Sequence, residues 1–306
     1  MVNLYVGVTD YDWFQFLAAR PDRGSINFWQ PGGKTNFKAL QPGELFLFKL
    51  HAPRNFIVGY GVFAAASILP VSMAWDAFGE GNGASSLEEM RRRIGFYRRE
   101  QVDPRHDYMI GCRILEQPVF FERERWIPIP DSWAPNIVSG RGYDTQTEDG
   151  RHLWAAVTDR TPIIAVPGLA DAPARYGEPT LIRPRLGQGT FRVVVTDAYE
   201  RRCVVTGEKT LPILDAAHIR PFAHDGRHEV SNGLLLRTDI HRLFDLGYVT
   251  ISTGGHFEVS RRLKEDFKNG RHYYDMHGRP IRPPTDARHR PAHEALEWHQ
   301  SNRFLG

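Results

Sequence analysis

The sequence predicts an α+β protein made of two domains joined by a connecting segment. Three observations carry that prediction. The chain has 306 residues, 41% hydrophobic and 25% charged, an ordinary globular composition at a length that suggests two domains. Its N-terminal part alternates short apolar runs with one or two helical patterns, the texture of a compact, barrel-like α+β domain. Histidine is unevenly placed: His51, His106 and His152 lie in the first 152 residues, and the other ten of the 13 lie at or beyond His218. That asymmetry locates any metal or proton chemistry in the C-terminal third.

The elements follow in order. NLYVGV, from Asn3 to Val8, reads as a strand, and DYDWFQFLAA, from Asp10 to Ala19, as a short helix capped by Thr9 or Asp10. LFLFKL, from Leu45 to Leu50, and FIVGYGVF, from Phe56 to Phe63, read as strands with a turn around Pro53. Gly59 and Gly61 inside the second strand predict a bulge or a close backbone approach. Ser85 to Arg99 reads as a helix: Ser85 or Ser86 stands before Glu88 and Glu89 in a capping-box pattern, and Met90, Ile94 and Tyr97 share one face. YMIGCRIL, from Tyr108 to Leu115, returns to strand. Prolines and glycines then recur in WIPIPDSWAP and APARYGEPTLIRPRLGQG, which read as a connection with a few docked pieces. The predicted layout is a first domain over 1–135, a linker over 136–189 and a second domain over 190–306.

In the second domain, Gln188 to Tyr199 reads as a helix despite its valines. LDAAHI, from Leu214 to Ile219, reads as a strand and GLLL, from Gly233 to Leu236, as a second one. DIHRLFDL, from Asp239 to Leu246, has helical spacing and ends at Gly247. Pro291 to Phe304 reads as a closing helix with proline in its first turn. This order puts His218 on the first strand, Asn232 in the loop and His241 in the first turn of the helix.

Composition excludes several classes. Cys112 and Cys203 are the only cysteines, too few for a disulfide framework or a four-cysteine zinc site, which makes a reducing, cytoplasmic setting the expectation. MVNLYVGVTDYDWF lacks a basic region followed by an apolar run, and no window approaches the roughly 18 apolar residues of a membrane helix. A net charge of +3 is compatible with a nucleic-acid partner without requiring one.

The types and order of the C-terminal residues suit phosphodiester chemistry. A neutral imidazole held by a carbonyl or amide can deprotonate water. A second imidazole and a carboxylate can hold one divalent ion, which stabilises charge on the scissile phosphate and the leaving oxygen. An asparagine can pin a loop across the site. The phrase AAHIRPF…SNGLLLRTDIHRLFDLGYVTI resembles the HNH endonucleases of the ββα-metal fold, in the branch that reads CVVTG…AAHI…NGLLL…IHRLFD. The resemblance implies that His218 is the general base, Asn232 the loop-ordering residue and His241 a metal ligand. Many members carry an Asp directly before the base histidine, where this chain has Ala217. Asp215, two residues earlier and on the same strand face as Ala217, is the expected substitute ligand, with Asp239 as the competing carboxylate. Cys203 resembles one member of the pairs that bind structural zinc in other HNH proteins; its partners are missing, so no structural zinc is expected. His224, His228 and His256 read as ordinary satisfied histidines, and Asp245 as a packing or arginine-pairing residue.

In the first domain, Phe28, Trp29 and Phe37 lie beside Gly32, Gly33 and Lys34, and Trp13, Phe14 and Trp75 are further aromatics near polar loops. Aromatics next to a glycine turn and a cation can stack a base and touch phosphate, although each of them can equally be core. Arg91, Arg92 and Arg93 with Arg98 and Arg99 form a basic cluster that is either a solvated helix face or a phosphate-tracking one. Trp13, Phe28, Trp29, Lys34, Trp75, Arg91 and Arg92 are the candidate nucleic-acid contacts. NLYVGVTDYDWFQFL, INFWQPGG, LQPGELFLFKL, IVGYGVF and AWDAFGEGNGASSLEEM resemble the PUA-like superfamily, especially its EVE, ASCH and YTH-type branches. That resemblance implies a β-barrel that reads modified bases, sometimes flipped into an aromatic pocket.

Together the two resemblances imply a modification-dependent DNA endonuclease acting near 5-methylcytosine or 5-hydroxymethylcytosine in duplex DNA. The implied cofactor is one divalent ion, Mg2+ or Mn2+. A homodimer is expected, because each HNH site handles one strand. The alternatives are a modification-independent nuclease or nickase whose N-terminal domain binds RNA or a DNA structure, and a catalytically inactive DNA-binding module.

Overall fold

The run LFLFKL is buried along its whole length, and that organises the first unit. A strand covered on both faces reads as a continuous apolar run rather than an alternating one. In the computed structural model, residues 2–20, 24–33, 37–99, 103, 106–160, 179–182, 184, 186–221, 224 and 226–306 are described. The chain divides into two units, the first ending at Thr190 and the second beginning at Phe191. Among the described residues, no helix is long and apolar enough to cross a membrane.

The first unit contains β1 (Asn3–Thr9), α1 (Tyr11–Ala18), β2 (Ile26–Gln30), β3 (Leu45–Leu50), β4 (Phe56–Pro70), α2 (Val71–Phe78), α3 (Leu87–Arg98), β5 (Met109–Phe120), β6 (Ile127–Pro128), β7 (Gly140–Asp144) and α4 (Glu148–Thr158). The sheet order is β2-β5-β4-β3-β1-β7, with β6 paired to β4; the path is open rather than a closed barrel among the described residues. β1 runs parallel to β3, with Leu4 opposite Leu45 and Val6 opposite Leu47. Those four side chains enter one apolar cluster together with Leu153, Trp154 and Val157 of α4. The alternate residues Phe46 and Phe48 enter a second cluster with Trp13, Phe14 and Leu17 of α1 and with Phe28 of β2. One helix thus covers each face of the sheet.

Several elements differ from the sequence expectation. β4 continues to Pro70 rather than ending near Phe63 because its far half stays paired to β5 from Ala65 through Pro70. The glycine signal in β4 is both a bulge and a close approach. The register against β5 shifts between Tyr60 and Val62, and a Cβ on Gly59 would lie 2.2 Å from the Val119 carbonyl oxygen. β7 and α4 fall within the segment read as a linker, yet β7 pairs with β1 and α4 packs on the sheet. The glycines of GRGYD and Gly150 in the first turn of α4 hid them. A Cβ on Gly150 would lie 1.9 Å from the Asp144 carbonyl oxygen, so that glycine serves close packing and does not mark a flexible join. Ser86 caps α3 by accepting from the Glu89 backbone N–H at 3.1 Å.

The second unit holds most of α5 (Gln188–Ala198), then β8 (Leu214–His218), β9 (Gly233–Arg237), α6 (Thr238–Asp245), β10 (Val249–Ile251), β11 (Phe257–Val259), α7 (Arg262–Phe267), α8 (Arg271–Tyr274) and α9 (His293–Asn302). β8 and β9 form an antiparallel pair with His218 opposite Gly233 and Asp215 opposite Leu236. Phe191 and Val195 of α5 join Leu234, Leu235 and Leu236 of β9 and Ile240 and Phe244 of α6 in one core. Pro291 lies before α9 rather than in its first turn; Ala292 takes the cap position and donates its N–H to the Ser231 carbonyl at 2.8 Å.

α9 carries His299 into this core, where it is 2% exposed. Its Nδ1 lies 2.8 Å from Thr250 Oγ1 and its Nε2 lies 3.1 Å from the Phe244 carbonyl oxygen. A neutral ring satisfies both: Nε2–H donates to the carbonyl and Nδ1 accepts from the hydroxyl. Burial holds its pKa down to about 4, against the opposing pull of the Phe244 carbonyl. A depressed histidine pKa contributes stability that is complete above the unfolded value, roughly 6.5, and is lost as pH falls toward the folded one. The melting temperature of the full chain is therefore expected to fall between pH 6.5 and 4, and His299→Gln to lessen the fall. Circular dichroism melts at half-unit pH steps measure both, and an unchanged slope in the variant would count against the assignment.

Candidate functional site

The β8–β9 pair and the start of α6 bring the C-terminal candidates together. His218 is the last residue of β8, Asp215 lies three residues before it, and His241 is the fourth residue of α6. Asp215 Oδ2 is 3.5 Å from His241 Nδ1, and Asp245 Oδ2, one helical turn along, is 3.4 Å from His241 Nε2. His241 thus sits between two carboxylates. Asp239, the competing carboxylate, is otherwise engaged. It accepts from Arg237 Nε at 2.6 Å, from the second Arg237 nitrogen at 2.7 Å and from the Tyr273 hydroxyl at 3.0 Å. The hydrogen bond from Arg237 holds its carboxyl below the usual range.

His218 is packed rather than open. Its ring stacks on Phe191 with centroids 3.9 Å apart and planes 9° from parallel. The opposite residue, Gly233, leaves room for that ring, since a Cβ there would lie 3.0 Å from Phe191 and 2.5 Å from Val195. Burial, followed by the electrostatic influence of the neighbouring His228 and His241, lowers the His218 pKa to about 4. His218 is therefore neutral near pH 7, as a base must be. Its Nε2 lies 3.0 Å from Nδ1 of His228, a residue the sequence reading set aside as an ordinary histidine.

Asn232 explains how that loop residue arrives there. Its Oδ1 accepts from the Arg220 N–H at 2.9 Å, and its Nδ2 donates to the Arg220 carbonyl at 2.9 Å and the Arg227 carbonyl at 3.0 Å. The side chain, in a residue 7% exposed, ties the exit of β8 to the residue before His228. Gly226 lets the loop cross itself, because a Cβ there would lie 1.9 Å from the Arg220 carbonyl oxygen. Cys203 is buried, and its Sγ accepts from the backbone N–H groups of Thr206 at 3.5 Å and Arg237 at 3.4 Å.

In the first unit, a cavity of about 340 Å³ is lined by Asp10, Trp13, Phe28, Trp29, His51 and Tyr97, among others. Trp13 and Phe28 are 4% and 5% exposed and are core aromatics that also line it. Trp29 is half-buried; its Nε1 donates to the Asn82 carbonyl at 2.9 Å, and its ring meets Tyr97 edge-on. Asp10 stands at the cap position of α1 without capping it. Its carboxylate instead lies 3.6 Å from His51 Nε2 and accepts from the Tyr97 hydroxyl. Sequence reading missed Asp10, His51 and Tyr97, because only the fold joins β1, β3 and α3 around one hollow. Trp75 is on α2 and is not among the residues lining the cavity. Arg91 lies 4.0 Å from Asp107, and Arg92 lies 3.2 Å from Glu89, which also holds Arg93 at 2.8 Å. The charge on that face of α3 is therefore largely compensated locally. Lys34 lies outside the described residues.

The C-terminal geometry coincides with a family match. Residues 203–252 match the family model described as HNH endonuclease. This stretch is therefore similar to HNH endonucleases. A comparison with curated proteins returns no match. Among solved structures, the chain resembles a point mutant of the ASCH protein from Zymomonas mobilis, at 11% identity and a TM-score of 0.34, over 50% of this chain and 94% of that one. It also resembles the modification dependent TagI restriction endonuclease, at 14% identity and a TM-score of 0.30, over 98% of this chain and 81% of that one. Both likenesses are remote, and the nuclease assignment rests on the HNH segment.

HNH nucleases typically use a divalent metal, and the donors of this HNH segment suit one. Asp215 offers a hard oxygen beside the His241 imidazole, while Asp245 can hold the far ring nitrogen, as carboxylates do behind metal-bound histidines. Among the described residues, no group of three or more His, Cys, Asp or Glu side chains is placed to hold an ion. A two-donor site fits a cation that keeps several waters and takes the remaining contacts from substrate phosphate. Asp215→Ala is expected to weaken Mn2+ binding by at least about tenfold, whereas Asp239→Ala should lower the melting temperature and leave Mn2+ affinity within about threefold. Titration followed by electron paramagnetic resonance separates the two, and the reverse pattern would make Asp239 the ligand. Asn232→Ala removes three partly buried hydrogen bonds at about 1 kcal/mol each. It should open the loop after His218 to proteolysis and accelerate amide exchange at Arg220; protection equal to wild type would sink this role.

Proposed function

We propose that the chain is a DNA endonuclease that reads a modified cytosine, 5-methylcytosine or 5-hydroxymethylcytosine, with its first unit and cuts duplex DNA nearby with its HNH segment. The observation that carries the proposal is a half-buried, neutral His218 on the same strand as Asp215, whose carboxylate meets His241 of α6. In this reading His218 takes a proton from water, the resulting hydroxide attacks phosphorus, and the bond to the leaving oxygen breaks. One divalent ion, Mg2+ or Mn2+, held by Asp215 and His241, would stabilise charge on the phosphate and on the leaving oxygen. Asn232 keeps the loop closed over the base. One site serves one strand, so a double-strand cut calls for a homodimer.

The cavity supports the reader half. Its volume falls in the range of small-ligand pockets, roughly 300–1,000 Å³, and it has aromatic walls with a carboxylate at one side. Trp29 and Tyr97 can stack a flipped base, and Asp10 can accept from an exocyclic amino group, a donor that cytosine has and thymine lacks.

Two measurements test the proposal. Paired plasmids, one carrying 5-methylcytosine or 5-hydroxymethylcytosine and one unmodified, are incubated with Mg2+ or Mn2+. The modified plasmid should be cut, His218→Ala should lose about 10²–10⁴-fold in rate, and Tyr97→Ala should reduce the preference for modified DNA about tenfold. Equal cutting of both plasmids would keep the nuclease and remove the reader. In a pH–rate profile the base is active when deprotonated, so activity should rise with pH through about 4, the lowered value for His218. An acid limb near 6.5, the unperturbed histidine value, would show that His218 does not control it.

A further inference from the structure

We propose that His228 is the positioning residue that fixes the tautomer of His218. The inference rests on the nuclease reading above, in which His218 is the base, and extends it to a histidine outside the strand–loop–helix pattern. The contact between His218 Nε2 and His228 Nδ1, at 3.0 Å, is within hydrogen-bond distance, and it decides which nitrogen of His218 can act. If His228 donated, His218 would carry its own proton on Nδ1, and both of its nitrogens would be occupied. If His218 Nε2–H donates, His228 accepts on Nδ1 and the His218 Nδ1 lone pair is left to take a proton from water. The imidazolium formed in that step keeps its Nε2–H bond to His228, which strengthens as the ring becomes positive.

Phe191 and Asn232 hold the two rings at this distance and angle. Phe191 lies flat on His218 and also meets the His228 ring, with centroids 5.7 Å apart. The two imidazoles stand at 67° to one another, so an in-plane N–H of one points toward the other without stacking. Asn232 grips the Arg227 carbonyl, one residue before His228, and both backbone groups of Arg220, two residues after His218. The loop-ordering asparagine therefore sets the spacing of the two rings. The task that a backbone carbonyl or an amide would perform for a lone base histidine falls here to a second imidazole.

The test uses the full chain at pH 7.5. Long-range ¹H–¹⁵N spectra of the imidazoles, with His218→Ala to assign the signals, should show His218 as the Nε2–H tautomer in wild type. His228→Ala should give a mixture of tautomers. His228→Asn, which places an acceptor oxygen near the position of Nδ1, should keep the wild-type form. On plasmid carrying 5-hydroxymethylcytosine with Mn2+, His228→Ala should lose about 10–100-fold in kcat with KM and melting temperature unchanged, and His228→Asn should stay within about threefold of wild type. An Nδ1–H tautomer in wild type, an unaltered tautomer in His228→Ala, or equal losses in the two variants would overturn the proposal. Full cleavage by His218→Ala would instead overturn the base assignment, while the tautomer spectra would still decide the role of His228.

Discussion

The grip of the Asn232 side chain on the backbone at Arg220 and Arg227 is the constraint on which the arrangement around His218 depends. The loop it closes leaves β8 at His218 and returns to β9, and its described residues between Arg220 and Glu229 are mainly polar. A loop of that kind gains little from burial and is ordered mainly by hydrogen bonds to its backbone. One amide side chain supplies both an acceptor and two donors, which no other short residue except glutamine can do. With that clamp in place, His218 keeps its packing against Phe191, and His228 arrives at its Nε2. The α6 side of the site depends on it less, because Asp215 and His241 are held by regular strand and helix.

The first unit solves a different problem. A sheet buried on both faces needs a helix on each side, and α1 and α4 supply them from opposite ends of the unit. The hollow lined by Trp29, Tyr97 and Asp10 lies where β1 ends and α1 begins, beside the edge strand β2. Asp10 illustrates how a tertiary contact competes with a local one. An aspartate at a helix N-cap ordinarily accepts from the first-turn N–H groups, a contribution of about 1 kcal/mol. Here the carboxylate turns toward His51 and Tyr97 instead.

Much of the C-terminal site was legible in the sequence. The order of strand, loop, strand and helix, and the places of His218, Asn232 and His241 on them, follow from periodicity and turn residues. The approach of Asp215 to His241 was implied by the resemblance to HNH endonucleases, with strand alternation putting Asp215 on the face of Ala217. His228 was not legible, because it lies in a loop without a period and its position depends on a hydrogen bond made four residues away. Phe191 was hidden for another reason: it lies 27 positions before the histidine on which it stacks. In the first unit the apolar strands and α3 with its serine cap were readable, whereas β7 and α4 were concealed by glycines that serve close packing. The arginines of α3 could be counted in the sequence but not paired, and only the fold shows Glu89 and Asp107 beside them.

Gly233 has a consequence for how such sites are recognised. Its φ of −121° is open to any residue, so backbone freedom does not account for it; it is small because Phe191 and Val195 occupy the space a side chain would fill. The dipeptide Asn232–Gly233 therefore joins two unrelated demands, one for polar reach and one for empty volume. A related chain with smaller residues in place of both Phe191 and Val195 could shed the glycine and keep the asparagine, and a pattern search that treats the pair as indivisible would pass over it.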